Sequence, residues 1–366
     1  MSLLLSHPSK ICFRKPVFLR SSPLHSNGFS SSSLPQTPPC QIIDADPCGA
    51  DVGRLIIKNI SDRYSTYLEK KVPMELLDPM VTIGASHGWV ATLKDDGILR
   101  LQDDLNPAAS DTDPKRISLP PLMTLPHCQT QVVANVVMSS PSPEGEDCVV
   151  PVKFLGPQLS FCRPGQSNSE WINVKIENPC FFSSPVMYSK KDDMFRIPGS
   201  GCHLIGSWDL HEHSKNPKLQ SLQFINPPKV MEKKSMRVLL DSCYTSEHLV
   251  ESRTRGETFL VKLYKKTARI IKGVAKMKTE VLVVFKLDEV GNAVFTKIMG
   301  DVIFLSKSEP FCLPASSFPG MYPSTVRDLD VHESAYVNLP TFTSVNNIIY
   351  RDGSMAPYYI PPQNID

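Results

Sequence analysis

An all-β ring, a β-propeller of about six or seven four-stranded blades preceded by a disordered targeting segment, is the fold class the sequence predicts. Segments of strand-like composition, about five residues each, recur at intervals of roughly 8 to 15 residues. The 33 prolines among 366 residues fall between these segments, which argues for many turns and few long helices. A chain of 366 residues also exceeds one small sandwich, whereas blades of roughly 40 to 50 residues fill it six or seven times.

The composition, 41% hydrophobic and 21% charged with a formal net charge of +2, is that of a folded chain rather than a disordered, collagen-like or coiled-coil one. No apolar run approaches the roughly 18 to 20 residues that span a bilayer, the strongest being Val281-Leu282-Val283-Val284-Phe285, so no integral membrane segment is expected. Ten scattered cysteines without a C-x-x-C pair predict free thiols in a reducing compartment.

Residues 1–40 read as an organellar transit peptide. Up to Ile43 there is no Asp or Glu, while Lys10, Arg14, Lys15 and Arg20 are basic and serines and prolines abound. Such a stretch buries no core and is expected to be disordered. Acid-poor, Arg- and Ser-rich N-termini address proteins to mitochondria or chloroplasts. Arg14 and Arg20 beside Phe13, Phe18 and Leu19 favour mitochondria over the chloroplast alternative, with cytosol or nucleus the remaining location. Residues 41–79 are expected to form a linker leading into the propeller, with one short helix near Ser65 to Lys71 bounded by Pro73.

The propeller is expected over residues 80–350, with a C-terminal tail at 351–366. Its first strands lie at 80–83, 86–93 and 98–101, with Asp95-Asp96-Gly97 as a hairpin turn. Further strands are expected at 131–138, 148–155, 158–162, 170–176, 181–188, 194–197, 220–225 and 236–240. The series ends with 247–251, 257–264, 281–287, 293–299 and 302–305.

Several of these segments, taken in order, resemble a known family. Ser86-His87-Gly88-Trp89, Asp96-Gly97-Ile98-Leu99 and Leu119-Pro120-Pro121 resemble its opening blade. His248-Leu249-Val250-Glu251-Ser252 with Gly256-Glu257-Thr258-Phe259-Leu260-Val261, and then Val284-Phe285-Lys286-Leu287-Asp288, are similar to its later hairpins. Gly300-Asp301-Val302-Ile303-Phe304-Leu305 and Ala315-Ser316-Ser317-Phe318-Pro319-Gly320 resemble its closing blade. The chain is identified as a member of the plant domain of unknown function 295 family, the F-box-associated β-propeller module. No leucine-rich F-box precedes the propeller motifs, so the resemblance is to the organelle-targeted branch and does not by itself imply a ubiquitin-ligase role.

Residues for chemistry are sparse. Cys202, His203, His211 and His213 form the best metal-like cluster, but their spacing matches no zinc site and a solvated loop accounts for them. His87 lacks a nucleophile partner and reads as strand packing, and Gly199-Ser200-Gly201 reads as a turn rather than a phosphate cradle. Trp89, Trp171 and Trp208 read as packing between blades. Residues 311–321 read as the seam where the ring closes. Between Val261 and Thr279, Lys262, Lys265, Lys266, Arg269, Lys272, Lys276 and Lys278 occur with no acid. This stretch is expected to be a lengthened hairpin loop, solvated or in contact with RNA or an anionic surface.

These observations name no catalytic, cofactor or metal residues. They predict a non-enzymatic, monomeric mitochondrial propeller that binds a protein partner through its face loops. The alternatives are a substrate receptor in F-box-type protein ubiquitination and an organellar RNA-associated protein.

Overall fold

The computed structural model describes residues 37–362, apart from 61, 63, 127, 129–131, 202, 210–215, 253, 272–273, 332, 342–345 and 351–356. Residues 1–36 of the expected targeting segment lie outside the described residues. Six antiparallel-rich sheets follow one another in chain order as the blades of a propeller.

Blade I contains β1 (Cys40–Pro47), β2 (Val52–Asn59) and β3 (Thr66–Pro73), and blade II β4 (Thr82–Ser86), β5 (Trp89–Leu93), β6 (Ile98–Gln102) and β7 (Arg116–Pro121). Blade III contains β8 (Val133–Val136), β9 (Val150–Phe154), β10 (Gln158–Cys162) and β11 (Ile172–Lys175). Blade IV contains β12 (Met187–Ser189), β13 (Met194–Pro198), β14 (Leu204–Trp208) and β15 (Lys218–Ser221). Blade V begins with an outer strand, β16 (Gln223–Ile225), laid parallel on β20, and continues through β17 (Tyr244–Ser252), β18 (Glu257–Ile271), β19 (Val274–Leu287) and β20 (Asn292–Phe295). Blade VI holds β21 (Asp301–Leu305), β22 (Phe311–Pro314), β23 (Thr325–Leu329), β24 (Glu333–Asn338) and β25 (Asn346–Tyr350). Finally β26 (Tyr359–Ile360) pairs with β1, as Cys40 faces Ile360 and Gln41 faces Tyr359, and this pairing closes the ring.

A blade buries both faces against its neighbours, which is why β9, β10 and β21 are buried at every position rather than alternating. Six apolar clusters result. Leu55 and Val90 share the cluster between blades I and II, Trp89 and Val150 that between II and III, and Phe161 and Trp208 that between III and IV. Ile205 and Leu260 join blades IV and V, Val261 and Ile303 join V and VI, and Phe304 and Tyr359 join VI and I. The tryptophans act as expected: Trp89 Nε1 donates to the Pro141 carbonyl at 3.1 Å, Trp171 Nε1 to the Pro120 carbonyl at 2.7 Å, and Trp208 lies edge-on to Phe181. Polar pins supplement the packing. Asn135 exchanges two hydrogen bonds with Val186 across blades III and IV, and the buried Lys153 ammonium donates to the carbonyls of Phe154, Gly156 and Phe182. All eight described cysteines are free thiols.

The structure corrects several expectations. The helix near Ser65 to Lys71 is strand β3, since Thr66, Tyr67 and Val72 favour the pleat and pair with β2. The propeller therefore starts at Cys40 rather than 80 and ends at Ile360 rather than 350. Strand β26 is too short for any periodic signal, yet Tyr358, Tyr359 and Ile360 are all buried. Residues 236–240 fall in helix α1 (Lys234–Asp241), whose Leu240 packs partly against the IV–V cluster. Within 181–188, a 3-10 turn over Pro179–Phe181, capped by the Asn178 side chain, precedes the three-residue β12. Residues 311–321 belong to blade VI, and the seam itself is β26.

Candidate functional site

The strands β4, β12 and β17, each contacting the neighbouring blades' inner strands, all end at one mouth of the central channel, where a cavity of about 370 Å³ opens. Each blade contributes a side chain: Tyr359 from I, His87 from II, Ser140 from III, Tyr188 from IV, Glu251 from V and Glu309 from VI. His87 and Gly88, at φ 51° and 86°, form the two-residue turn between β4 and β5, a left-handed pair suited to hairpins of this twist.

Two buried carboxylates anchor the mouth. Ser86 Oγ donates to Glu309 Oε2 at 2.6 Å and accepts from the Met138 amide at 3.1 Å, tying blades II, III and VI together. Glu251 accepts from Ser189 Oγ at 2.5 Å and from the amides of Lys190 and Lys191 at 3.0 and 3.2 Å, tying V to IV. His87 Nε2 lies 3.9 Å from Glu309, so this residue lines the cavity, whereas the sequence reading assigned it to strand packing alone.

Glu309 arrives on a strap, residues 306–310, that leaves blade VI and crosses to blades I and II. Ser308 bridges in parallel to Ala85, the Glu309 amide donates to the Ala85 carbonyl at 2.6 Å, and Ser308 Oγ donates to the Tyr359 carbonyl at 2.9 Å. Lys307 Nζ donates to the carbonyls of Pro79 and Thr82, and burial pushes its ammonium down to about 8. Cys312 also lines the cavity. Burial, assisted by nearby Asp301, pushes its thiol well above the ordinary range, so it stays protonated and a poor nucleophile. A neighbouring cleft of about 490 Å³ between blades III and IV shares Ser139, Ser140 and Tyr188 with the mouth and adds Glu146, Asp147, Arg163 and Asp193.

The seven basic residues singled out in the sequence part company. Among the described residues, 261–271 and 274–279 are not a loop but parts of the long strands β18 and β19, because β-branched residues are interspersed among the charges and pairing continues to Ile271 opposite Val274. Lys262 is half-buried within the blade, over the Tyr264 ring. Lys265 is buried against blade VI, with Nζ 3.0 Å from Asp328, 2.9 Å from Asp330 and 3.5 Å from Glu333. Desolvation pushes Lys265 down, but those three carboxylates together outweigh it and hold the ammonium above its ordinary pKa. Lys266, Arg269, Lys276 and Lys278 lie on the part of the hairpin that outruns β17, while Lys272 lies outside the described residues. Of the metal-like cluster, Cys202, His211 and His213 lie outside the described residues, and His203 packs edge-on to Phe224. Among the described residues no group of three or more His, Cys, Asp or Glu is placed to hold a metal ion.

The sequence model of the KIB1-4 β-propeller family matches residues 58–343, most of the ring. The chain belongs to that family. A comparison with curated proteins gave no match. Within this KIB1-4 β-propeller, the motif order read from the sequence agrees with an F-box-associated type of propeller.

Proposed function

We propose that this KIB1-4 β-propeller is a non-enzymatic protein-interaction module of mitochondria that receives a basic, extended segment of its partner at the channel mouth. One observation carries the reading: all six blades converge on a single cavity, and around it and its neighbouring cleft five carboxylates face two permanent cations. Glu146, Asp147, Asp193, Glu251 and Glu309 stand against Arg163 and Lys190. A rigid ring that presents loops at one face suits recognition, and an acidic rim favours a cationic ligand. Glu251 and Glu309 are engaged by serine and backbone donors, which suits a fixed negative field better than proton transfer. The mitochondrial address rests on the basic, acid-free first forty residues, as in the organelle-targeted branch of domain of unknown function 295 proteins.

Two measurements test it. The full chain with a C-terminal fluorescent tag should enter mitochondria, and a chain starting at Gln41 should not. Cytosolic or nuclear location of both would favour the ubiquitination-receptor reading instead. A photo-crosslinking residue placed at exposed Lys190 should yield a discrete adduct with a basic partner segment, and one at Val238, exposed on helix α1, should not. Equal labelling from both positions would sink the assignment of the mouth.

A further inference from the structure

The turn that carries His87 holds a residue its backbone would not select. Ser86 pairs with Trp89, so His87 and Gly88 alone reverse the chain, both with positive φ. Asparagine, aspartate or glycine ordinarily fills the first position of such a turn. Histidine is tolerated there but adds nothing the turn needs, and left-handed residues kept beside cavities cluster at functional sites. The flanks are fixed. Ser86 Oγ is bonded to Glu309 and to the Met138 amide, and Trp89 Nε1 donates to the Pro141 carbonyl at 3.1 Å. The imidazole is thereby held at the cavity, and it and the Glu309 side chain are each only 9% exposed.

Glu309 Oε2 accepts from Ser86 Oγ at 2.6 Å, and His87 Nε2 stands 3.9 Å from the same oxygen. That separation is too long for a hydrogen bond and short enough for an ion pair once the ring is protonated. A charge-assisted bond forms at about 2.8 Å, so closing the pair needs a movement of roughly 1 Å. Histidine is also the side chain whose charge ordinarily changes between pH 5 and 8. The other groups that share the cavity do not duplicate it. Glu251, from blade V, is taken by Ser189 and two amides, and Lys190, from blade IV, is a permanent cation. Tyr188, Tyr359 and the buried Cys312 thiol bring no charge, and blade III brings only serines and a proline. Arg255, on the turn after β17, is held by Asp301 at 3.2 Å.

We propose that His87 is a proton-operated latch on the mouth. Neutral, it leaves the Glu309 carboxylate to a cation of an incoming basic segment. Protonated, it closes on Glu309 and takes that cation's place. The inference rests on the reading of the mouth as the seat of a basic segment. Proton and ligand then compete for one carboxylate, so each lowers the mouth's affinity for the other by the same factor.

Two measurements on the full chain test this. In the free protein with isotope-labelled histidine, the ring signal of His87, identified by its loss in His87→Asn, should titrate between pH 5 and 8. Asparagine suits the left-handed turn, so that variant keeps the hairpin. Glu309→Gln is isosteric and still accepts from Ser86, and it should move the midpoint down by about one pH unit or more, the size expected for loss of an adjacent carboxylate. A midpoint that Glu309→Gln leaves unmoved would overturn the latch. The second measurement is fluorescence anisotropy with a rhodamine-labelled octapeptide of alternating lysine and serine. Wild type should bind it about fivefold more weakly at pH 5.5 than at pH 7.5, as competition that displaces the midpoint by one unit requires. His87→Asn should bind it equally at both. Binding independent of pH in wild type, or equally pH-dependent in His87→Asn, would overturn the latch and leave the mouth as the binding site. Binding by wild type at neither pH would overturn the assignment of the mouth and the latch with it.

Discussion

The channel mouth and the arm, the part of the β18–β19 hairpin that outruns β17, lie at opposite ends of blade V and are assembled in opposite ways. The mouth draws on all six blades, and its central hydrogen bond joins Ser86 to Glu309, 223 positions apart in the chain. The arm is one contiguous hairpin whose partners lie within about a dozen positions of each other. One region is acidic and enclosed, the other basic and projecting. A surface made of distant residues requires the whole ring, whereas a surface made of neighbours requires only its own register. Perturbing the ring should therefore damage the mouth and leave the arm's charges where they are.

The largest effect is expected at the seam. Ending the chain at Pro357 removes Tyr358, Tyr359 and Ile360, each 3% exposed or less, together with the pairing of β26 to β1. At about 1.5 to 3 kcal/mol for each buried side chain, the loss should exceed about 4 kcal/mol. It should lower the melting temperature by roughly 10 °C or more, read by calorimetry. A melt unchanged by this truncation would mean that the seam does not hold the mouth together.

Next comes the base of the arm. Lys265→Met leaves Asp328, Asp330 and Glu333 facing one another without their ammonium. Removing one partner of a buried ionic cluster costs about 3 to 5 kcal/mol. The stranded carboxylates would then titrate above their unfolded values, so the penalty is present at neutral pH. It fades as the pH falls toward the ordinary carboxylate range near 4, where protonation removes the uncompensated charge. Urea melts of wild type and variant at pH 7 and pH 5 should converge toward the lower pH. A constant gap would show that packing, not charge, is what Lys265 supplies.

Ser86→Ala should be milder, about 1 to 3 kcal/mol, because Glu309 loses a donor and the buried Met138 amide loses its acceptor. The same variant should weaken partner crosslinking from Lys190, since Glu309 and its strap are no longer pinned to blade II. Crosslinking at the wild-type level would detach the strap from recognition.

The smallest effect carries the opposite sign. Lys266→Glu turns the like-charged cross-strand pair with Lys278 into an opposite-charged one and should stabilise the chain by a few tenths of a kcal/mol. A clear loss of stability in urea melts would mean that Lys266 serves the fold.

Much of the ring was legible in the sequence, and the misses have specific causes. Asp95-Asp96-Gly97 announced its hairpin because Gly97 adopts φ 71° and the Asp96 carboxylate takes the Ile98 amide and the Arg100 guanidinium, all within six residues. Charge obscured the arm. Five exposed residues in a row, 266–270, look like a loop, and only continued pairing reveals a ribbon solvated on both faces. Strand β3 was hidden by Glu69, Lys70 and Lys71, although Lys70 is buried with its ammonium on the carbonyls of Ala109 and Ser110. His87 and Glu309 each looked unremarkable because the partner that gives each of them meaning lies on another blade.

By itself the sequence determined the all-β character, most strands, the tight turns and the run of cations on one hairpin. These follow from backbone preference and from contacts between residues a few positions apart. The tertiary structure alone decided the six-fold closure through two residues of β26 and the gathering of Glu251 and Glu309 at one mouth. It also separated Lys265, buried among three carboxylates, from Lys266, exposed beside it. Those outcomes depend on which blade faces which, and in a ring that is settled only when the last strand meets the first.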